Sequence, residues 1–193
     1  MKIIFDLDDT IYNSPELREN REKAILEVLG DRVDEYFEMK KKYTTTKSLE
    51  LLGITRKEFY EILKSVPINL KKEEKLVDFF KELSNNFRLI VLSNSPKKCI
   101  VDVLENLGLI EIIHEIYGGD DFNEPKPSEE SFFMVEKGDV CIGNNFKKDL
   151  EIPKKKGAIT IFVSKEKNRL SEADFIIESI YELKDILDNL PKK

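Results

Sequence analysis

Ile3-Ile4-Phe5-Asp6-Leu7-Asp8-Asp9-Thr10 is the stretch on which the reading of this chain turns. A short, bulky apolar run that stops abruptly at carboxylates is the pattern of a parallel strand buried on both faces, with its carboxyl end opening on a polar crevice. Lys2-Ile3-Ile4-Phe5 is that strand, and Asp6 is its end residue. Two later runs repeat the arrangement. Phe87 to Leu92 ends in Ser93-Asn94-Ser95-Pro96, and Val140-Cys141-Ile142 ends in Gly143-Asn144-Asn145. Ala158 to Val163 and Phe175 to Ile177 complete the strand candidates. Strands alternating with helical stretches after residue 87 imply right-handed crossovers, so the expected class is α/β, a Rossmann-like doubly wound parallel sheet.

Between the first strand and the second the period changes to that of helices. Ser14 is an N-cap with Pro15 at the first helical position, and Gly30 ends that helix. Further helices are expected from about Val33 to Tyr43 and from about Lys47 to Leu52, with Gly53 as the stop. Thr55-Arg56-Lys57-Glu58 reads as a capping box for a helix that Pro67 closes off. Another amphipathic helix, about Lys72 to Leu83, carries Leu76, Phe79, Phe80 and Leu83 on one stripe. Residues 14–86 therefore read as an all-helical insertion, and 1–13 with 87–193 as the α/β core. The 72–83 helix is compatible with either. Past residue 95, Ser95 and Pro96 supply a cap and first turn for a helix ending near Gly108. Ser128-Glu129-Glu130 is expected to open a helix reaching about Lys137, Pro153 to shorten or kink the helix after the third strand, and Ser179 with Glu182 to box the start of a last helix.

Composition narrows the function classes. Of 193 residues, 40% are hydrophobic and 36% charged, too apolar for a disordered chain. Acidic residues outnumber basic ones 38 to 32, which argues against a nucleic acid polymer or an anionic membrane as partner and leaves room for a small, locally bound anion. No apolar run approaches membrane-spanning length, and carboxylates at residues 6, 8 and 9 suit neither a signal nor a transit peptide, so a cytoplasmic location is expected. Cys99 and Cys141 lack CxxC spacing and read as reduced packing residues. His114 is the only histidine, and Ile112-Ile113-His114-Glu115-Ile116 looks like a sheet edge rather than a catalytic setting.

Ligands of open parallel sheets sit beyond the carboxyl ends of the strands, and what these strands deliver there is consistent. Asp6, Asp8 and Thr10 come from the first, Ser93 and Asn94 from the second, Lys126 from a turn-rich loop, and Asn144 with Asp149 from the third. Two carboxylates on a curling chain end can divide the work of phosphoryl transfer: one attacks and the other moves protons. Mg2+ prefers such hard oxygen donors and would screen repulsion between carboxylate and phosphate. A serine hydroxyl and a lysine ammonium would steady the transferring group. Without further context, Asp6 to Asp9 also reads as a solvated turn capping a helix.

The same four elements, in the same order, resemble the haloacid dehalogenase-like (HAD) superfamily of phosphatases over nearly the whole chain. The stretch from Ile3 to Thr10 is similar to its first motif, Val91-Leu92-Ser93-Asn94 to its second, Pro125-Lys126-Pro127 to its third and Gly143-Asn144-Asn145-Phe146-Lys147-Lys148-Asp149 to its fourth. The resemblance implies Asp6 as nucleophile, Asp8 as general acid and base and as a metal ligand through its backbone carbonyl, and Lys126 as charge stabiliser. It implies Thr10, Ser93 and Asn94 around the phosphoryl group, Mg2+ held by Asp6, Asp8, Asn144 and Asp149, and the helical insertion as a substrate-selecting cap. The implied reaction is Mg2+-dependent hydrolysis of a small phosphomonoester, such as a nucleoside monophosphate or sugar phosphate, through an aspartyl-phosphate.

Asn144 departs from the pattern, because the fourth motif carries a metal-binding Asp there. An amide oxygen coordinates Mg2+ without supplying charge, so affinity for the ion should fall. Two rival readings follow: a phosphate-binding protein with weak catalysis, and a metal-independent 2-haloacid dehalogenase. Asp8 opposes the second, since that branch replaces the second acid of the first motif. Tyr12-Asn13 with Tyr43-Thr44-Thr45-Thr46-Lys47 faintly resembles the pyrimidine 5'-nucleotidase-like branch, while in plain terms Thr46 caps a helix and Lys47 is solvated.

Overall fold

The computed structural model describes residues 1–164 and 171–190. The chain divides into two compact units, one of Met1–Asn13 with Lys71–Lys193 and the other of Ser14–Leu70.

The first unit holds a six-stranded, all-parallel sheet: β1 (Lys2–Phe5), β2 (Arg88–Leu92), β3 (Glu115–Tyr117), β4 (Val140–Gly143), β5 (Ile159–Val163) and β6 (Phe175–Ile177). Their order across the sheet is β3-β2-β1-β4-β5-β6, which is the doubly wound order. The direction of winding reverses between β1 and β4. Phe5 stands beside Val91 of β2 and Ile142 of β4, so the residues just beyond these strands leave the sheet at one level. The apolar residues that define the central strands are buried on both faces, Ile3, Phe5, Leu89, Ile90 and Val91 completely.

Helix α5 (Glu74–Ser84) belongs to the sheet unit. Leu76, Phe80 and Leu83 of the expected stripe are buried together with Val77, Phe79 is half-buried, and the Phe80 ring lies 5.1 Å from that of Phe5. Helix α6 (Lys97–Leu107) ends at Gly108 in the left-handed conformation expected of a C-terminal stop. Pro153 falls within the first turn of the short helix α7 (Glu151–Lys155), where its missing N–H is tolerated, and a π-helical turn over Phe146–Leu150 precedes it. Ser179 and Glu182 box the start of a 3-10 turn that leads into α8 (Leu183–Asp188).

The second unit contains α1 (Pro15–Leu29), α2 (Val33–Lys40), α3 (Thr45–Leu51) and α4 (Arg56–Ser65). Ser14 Oγ accepts the Leu17 N–H at 3.2 Å, and Thr55 with Glu58 forms the reciprocal capping box. The cap of α3 is Thr44, whose hydroxyl accepts the Lys47 N–H at 3.3 Å, and not Thr46.

Two local expectations are corrected. Residues 128–137 form a chain of turns instead of a helix. Serine hydroxyls take up backbone groups within the segment, Ser128 Oγ accepting the Ser131 N–H and Ser131 Oγ donating to the Ser128 carbonyl, while Glu130 reaches back to the N–H groups of Asn123 and Glu124. Ser95 does not cap α6. That helix has Pro96 at its N-cap, and the Lys97 N–H is taken by Asp120 Oδ1 at 2.7 Å. His114 is structural as read: its Nδ1 accepts the Leu89 N–H at 3.1 Å at the start of β3. Both cysteines are buried thiols. No described helix is long and apolar enough to cross a membrane.

Candidate active site

The site is built at the reversal point of the sheet, and its centre is a buried ammonium between two buried carboxylates. Asp6 leaves β1 with its backbone N–H on the Ile142 carbonyl at 2.8 Å, so β4 fixes its height. Lys126 Nζ donates to Asp6 Oδ1, Asp149 Oδ1 and the Leu92 carbonyl, each at 2.8 Å, which uses all three of its N–H donors. The side chains of Lys126, Asp6 and Asp149 are only 2 to 3% exposed. One cation thereby ties together the ends of β1, β2 and β4.

Local chain geometry supports each member. Asp9 adopts a φ of +60°, a left-handed conformation that Asp tolerates, and the Leu7 carbonyl accepts the N–H groups of Thr10 and Ile11. That tight turn folds Thr10 back so that its hydroxyl donates to Asp6 Oδ2 at 3.1 Å. Asn94 Nδ2 donates to the Lys126 carbonyl at 2.7 Å and holds the loop that carries the ammonium. Asp149 is anchored at its other oxygen by the Asn145 N–H at 3.0 Å. Gly143 makes room for it: a Cβ there would stand 2.5 Å from Asp149 Cβ.

These contacts set the charges. Burial alone would raise the Asp6 carboxyl, but the positive charges of Lys126 and Lys148, with the Lys126 hydrogen bond, hold it below the usual carboxylate range. Burial and the neighbouring Asp6 charge push Asp149 upward in spite of Lys126. Burial opposes the charge of Lys126, yet Asp149 and Asp6 raise it above the ordinary lysine value. The arrangement presents an ionised Asp6 next to a permanent cation.

Asp6, Asp8, Thr10, Ser93, Asn94, Lys126 and Asn144 lie on the loops at this end of the sheet, and Asp149 in the π-helical turn that follows β4. Ser93 is buried, its Oγ accepts the Ser95 N–H at 3.1 Å, and among the described residues its hydroxyl hydrogen has no acceptor. The Thr10 hydroxyl bonds Asp6, and the Asn94 amide bonds the Lys126 carbonyl. Sequence reading missed Ser95 and Tyr12. Ser95 donates to Asp8 Oδ2 at 3.2 Å and Tyr12 to Asp8 Oδ1 at 2.6 Å. The spacing Ser93-x-Ser95 was the available signal, hidden by the more ordinary reading of Ser95 as a helix cap.

The donor chemistry suits Mg2+, which takes oxygen ligands and keeps several waters alongside one or two carboxylates. Asp6, Asp8 and the amide oxygen of Asn144 are such donors. Asn144 is half-buried and makes no side-chain hydrogen bond among the described residues. Among the described residues no cluster of three or more His, Cys, Asp or Glu side chains is arranged to hold an ion. Both Asp149 oxygens are already engaged, by Lys126 and Asn145.

The family model of haloacid dehalogenase-like hydrolases matches residues 3–137, more than half of the chain. The chain belongs to this family. The HAD-like chain is 27% identical over 113 residues to phosphoglycolate phosphatase from two strains of Vibrio vulnificus, a match covering 52% of this chain and 49% of the relative. The aligned region thus spans about half the length of those relatives. Among solved structures, the magnesium-bound YfnB protein of Bacillus subtilis superposes with a TM-score of 0.69 at 17% identity, covering 97% of this chain and 98% of that one. The 2-haloacid dehalogenase of Pseudomonas syringae superposes at 0.64 with 17% identity, covering 97% and 98%. The likeness to these solved structures shows the fold and does not by itself assign an activity.

Proposed function

We propose that this HAD-like chain is a Mg2+-dependent phosphatase that hydrolyses a small phosphomonoester through an aspartyl-phosphate on Asp6. The observation that carries the reading is the pairing of a buried, ionised Asp6, bonded to Lys126, with a second acid two residues on. Asp8 favours this reading over haloacid dehalogenation, because a hydrolase that moves a proton to a leaving oxygen needs an acid, whereas a halide leaves without one.

In the first step a carboxylate oxygen of Asp6 bonds to phosphorus, the bond to the leaving oxygen breaks, and that oxygen takes the proton of Asp8. In the second, Asp8 accepts a proton from water as its oxygen attacks phosphorus, which releases phosphate and restores Asp6. Lys126 offsets negative charge on Asp6 and on the arriving anion, and the free hydroxyl hydrogen of Ser93 is available to a phosphoryl oxygen. Asp6, the Asp8 backbone carbonyl and Asn144 would hold Mg2+, with Asp149 serving mainly to anchor Lys126. When bound, the ion supplies charge screening between the carboxylate and the phosphoryl oxygens. The helical unit 14–70 is read as the cap that selects the leaving group.

The experiment is a panel of 2-phosphoglycolate, nucleoside monophosphates, sugar phosphates and p-nitrophenyl phosphate, with and without Mg2+. Turnover that needs Mg2+ and disappears in Asp6→Asn is the expected result. Undiminished turnover in Asp6→Asn would remove Asp6 from the chemistry. Tight phosphate binding by calorimetry with no turnover of any ester would instead favour a binding protein, the reading that Asn144 supports.

A further inference from the structure

Asp8 is held in a way that nothing in the reaction scheme has used. Lys126 directs its three donors to Asp6, Asp149 and Leu92. Two hydroxyls from separate loops bond the Asp8 carboxylate. Tyr12 Oη donates to Oδ1 at 2.6 Å and Ser95 Oγ to Oδ2 at 3.2 Å.

Both contacts follow from the backbone. The left-handed turn at Asp9 returns the chain so that Tyr12 pairs with Asp8 in an isolated parallel bridge, which brings the phenol over the carboxylate. Ser95 lies two residues past Ser93 on the loop after β2, and its own N–H donates to Ser93 Oγ at 3.1 Å. Ser95 thus links the hydroxyl assigned to the phosphoryl group with the acid assigned to the leaving oxygen. An aspartate carboxyl turns freely about its last bond, because that torsion is broad and roughly two-fold. A hydrogen bond to each of the two oxygens, from separate segments of the chain, restricts this freedom. For proton transfer the gain is geometric, since the acid must stand within hydrogen-bond reach of the oxygen it serves.

We propose that Tyr12 and Ser95 are positioning residues for Asp8: together they fix the plane of its carboxyl group so that it hands its proton to the leaving oxygen. The inference rests on the phosphatase reading above. Neither residue touches the substrate in this scheme, and both act through Asp8.

Leaving-group dependence tests it, because a good leaving group departs with little help from an acid and a poor one does not. The full chain is assayed with Mg2+ on p-nitrophenyl phosphate and on phenyl phosphate, comparing kcat/KM for the unaltered protein, Tyr12→Phe, Ser95→Ala and Asp6→Asn. A well-placed acid is worth about 10²- to 10⁴-fold, so misplacing it should cost phenyl phosphate about tenfold or more in Tyr12→Phe and p-nitrophenyl phosphate less than about threefold. Ser95→Ala should shift the ratio in the same direction, and thermal melting confirms that both variants are folded. An equal loss on the two esters in both variants, or no loss on either, overturns the positioning role while leaving the phosphatase reading intact. Failure of the unaltered chain to turn over either ester, or turnover that survives Asp6→Asn, overturns both.

Discussion

Replacing Lys126 with methionine keeps most of the side-chain volume and removes the charge that two buried carboxylates share. At an effective dielectric constant of about 20, opposite charges 2.8 Å apart attract by about 6 kcal/mol before desolvation. Burying all three groups takes back much of this, and loss of one partner from a buried pair costs about 3–5 kcal/mol. We therefore expect Lys126→Met to lose about 3–5 kcal/mol near pH 7, or about 6–20 °C in Tm for a domain of this size. Asp149→Asn leaves Lys126 bonded to Asp6 and Leu92 and should cost about 1–3 kcal/mol. In the double variant one uncompensated carboxylate remains instead of two. Its cost should fall short of the sum by at least about 1 kcal/mol. Urea unfolding of the four proteins near pH 7 measures this cycle, and strictly additive losses would show that the ammonium does not couple the two acids.

The pH dependence has a definite sign. Asp6 is lowered in the fold, so its contribution is present above the ordinary carboxylate range and lost as pH falls through that range. Asp149 is raised and works the opposite way, while the contribution of Lys126, also raised, is present below the ordinary lysine value and lost only at higher pH. Without the ammonium, burial dominates both acids and favours their neutral forms. The deficit of Lys126→Met should accordingly shrink between about pH 7 and pH 5. A deficit constant over that interval would refute the reasoning as surely as additivity would.

Other expectations are narrower. Asn144→Asp adds a carboxylate where the amide stands, so calorimetry should show Mg2+ binding tighter by about tenfold or more, and no change would remove residue 144 from the ligand set. Gly143→Ala would drive a methyl into Asp149 Cβ at 2.5 Å, with an expected loss of about 1–3 kcal/mol by urea unfolding and of most turnover, since Asp149 anchors Lys126. Thr10→Val preserves shape and deletes the hydroxyl that bonds Asp6 Oδ2; kcat should fall with stability changed by about 1 kcal/mol, and unchanged kcat would show that Asp6 needs no such restraint.

Much of the fold was legible because its determinants are local or periodic. Apolar runs ending in Asp6, Ser93 and Gly143-Asn144 marked β1, β2 and β4, and the caps at Ser14 and Thr55 gave helix starts directly, while Ser179 caps a 3-10 turn ahead of α8. The 128–137 segment misled because Glu130 and Ser128 find partners several residues back, at Asn123 and Glu124, which a helical pattern does not reveal. Ser95 misled for a related reason, its hydroxyl meeting a group 87 positions away.

By itself the sequence determined the kinds of chemistry present and the end of the sheet where they would lie. A strand's direction and burial follow from neighbours a few residues apart, and a carboxylate at its end needs no distant partner to be recognised. Only the tertiary structure decided which atoms share which protons: that Lys126 serves Asp6, Asp149 and Leu92 together, and that Asp8 is gripped by Tyr12 and Ser95. Hydrogen bonds of that kind depend on separations of tenths of an ångström between groups far apart in the chain. No pattern of residue types carries that information until the sheet has closed around it.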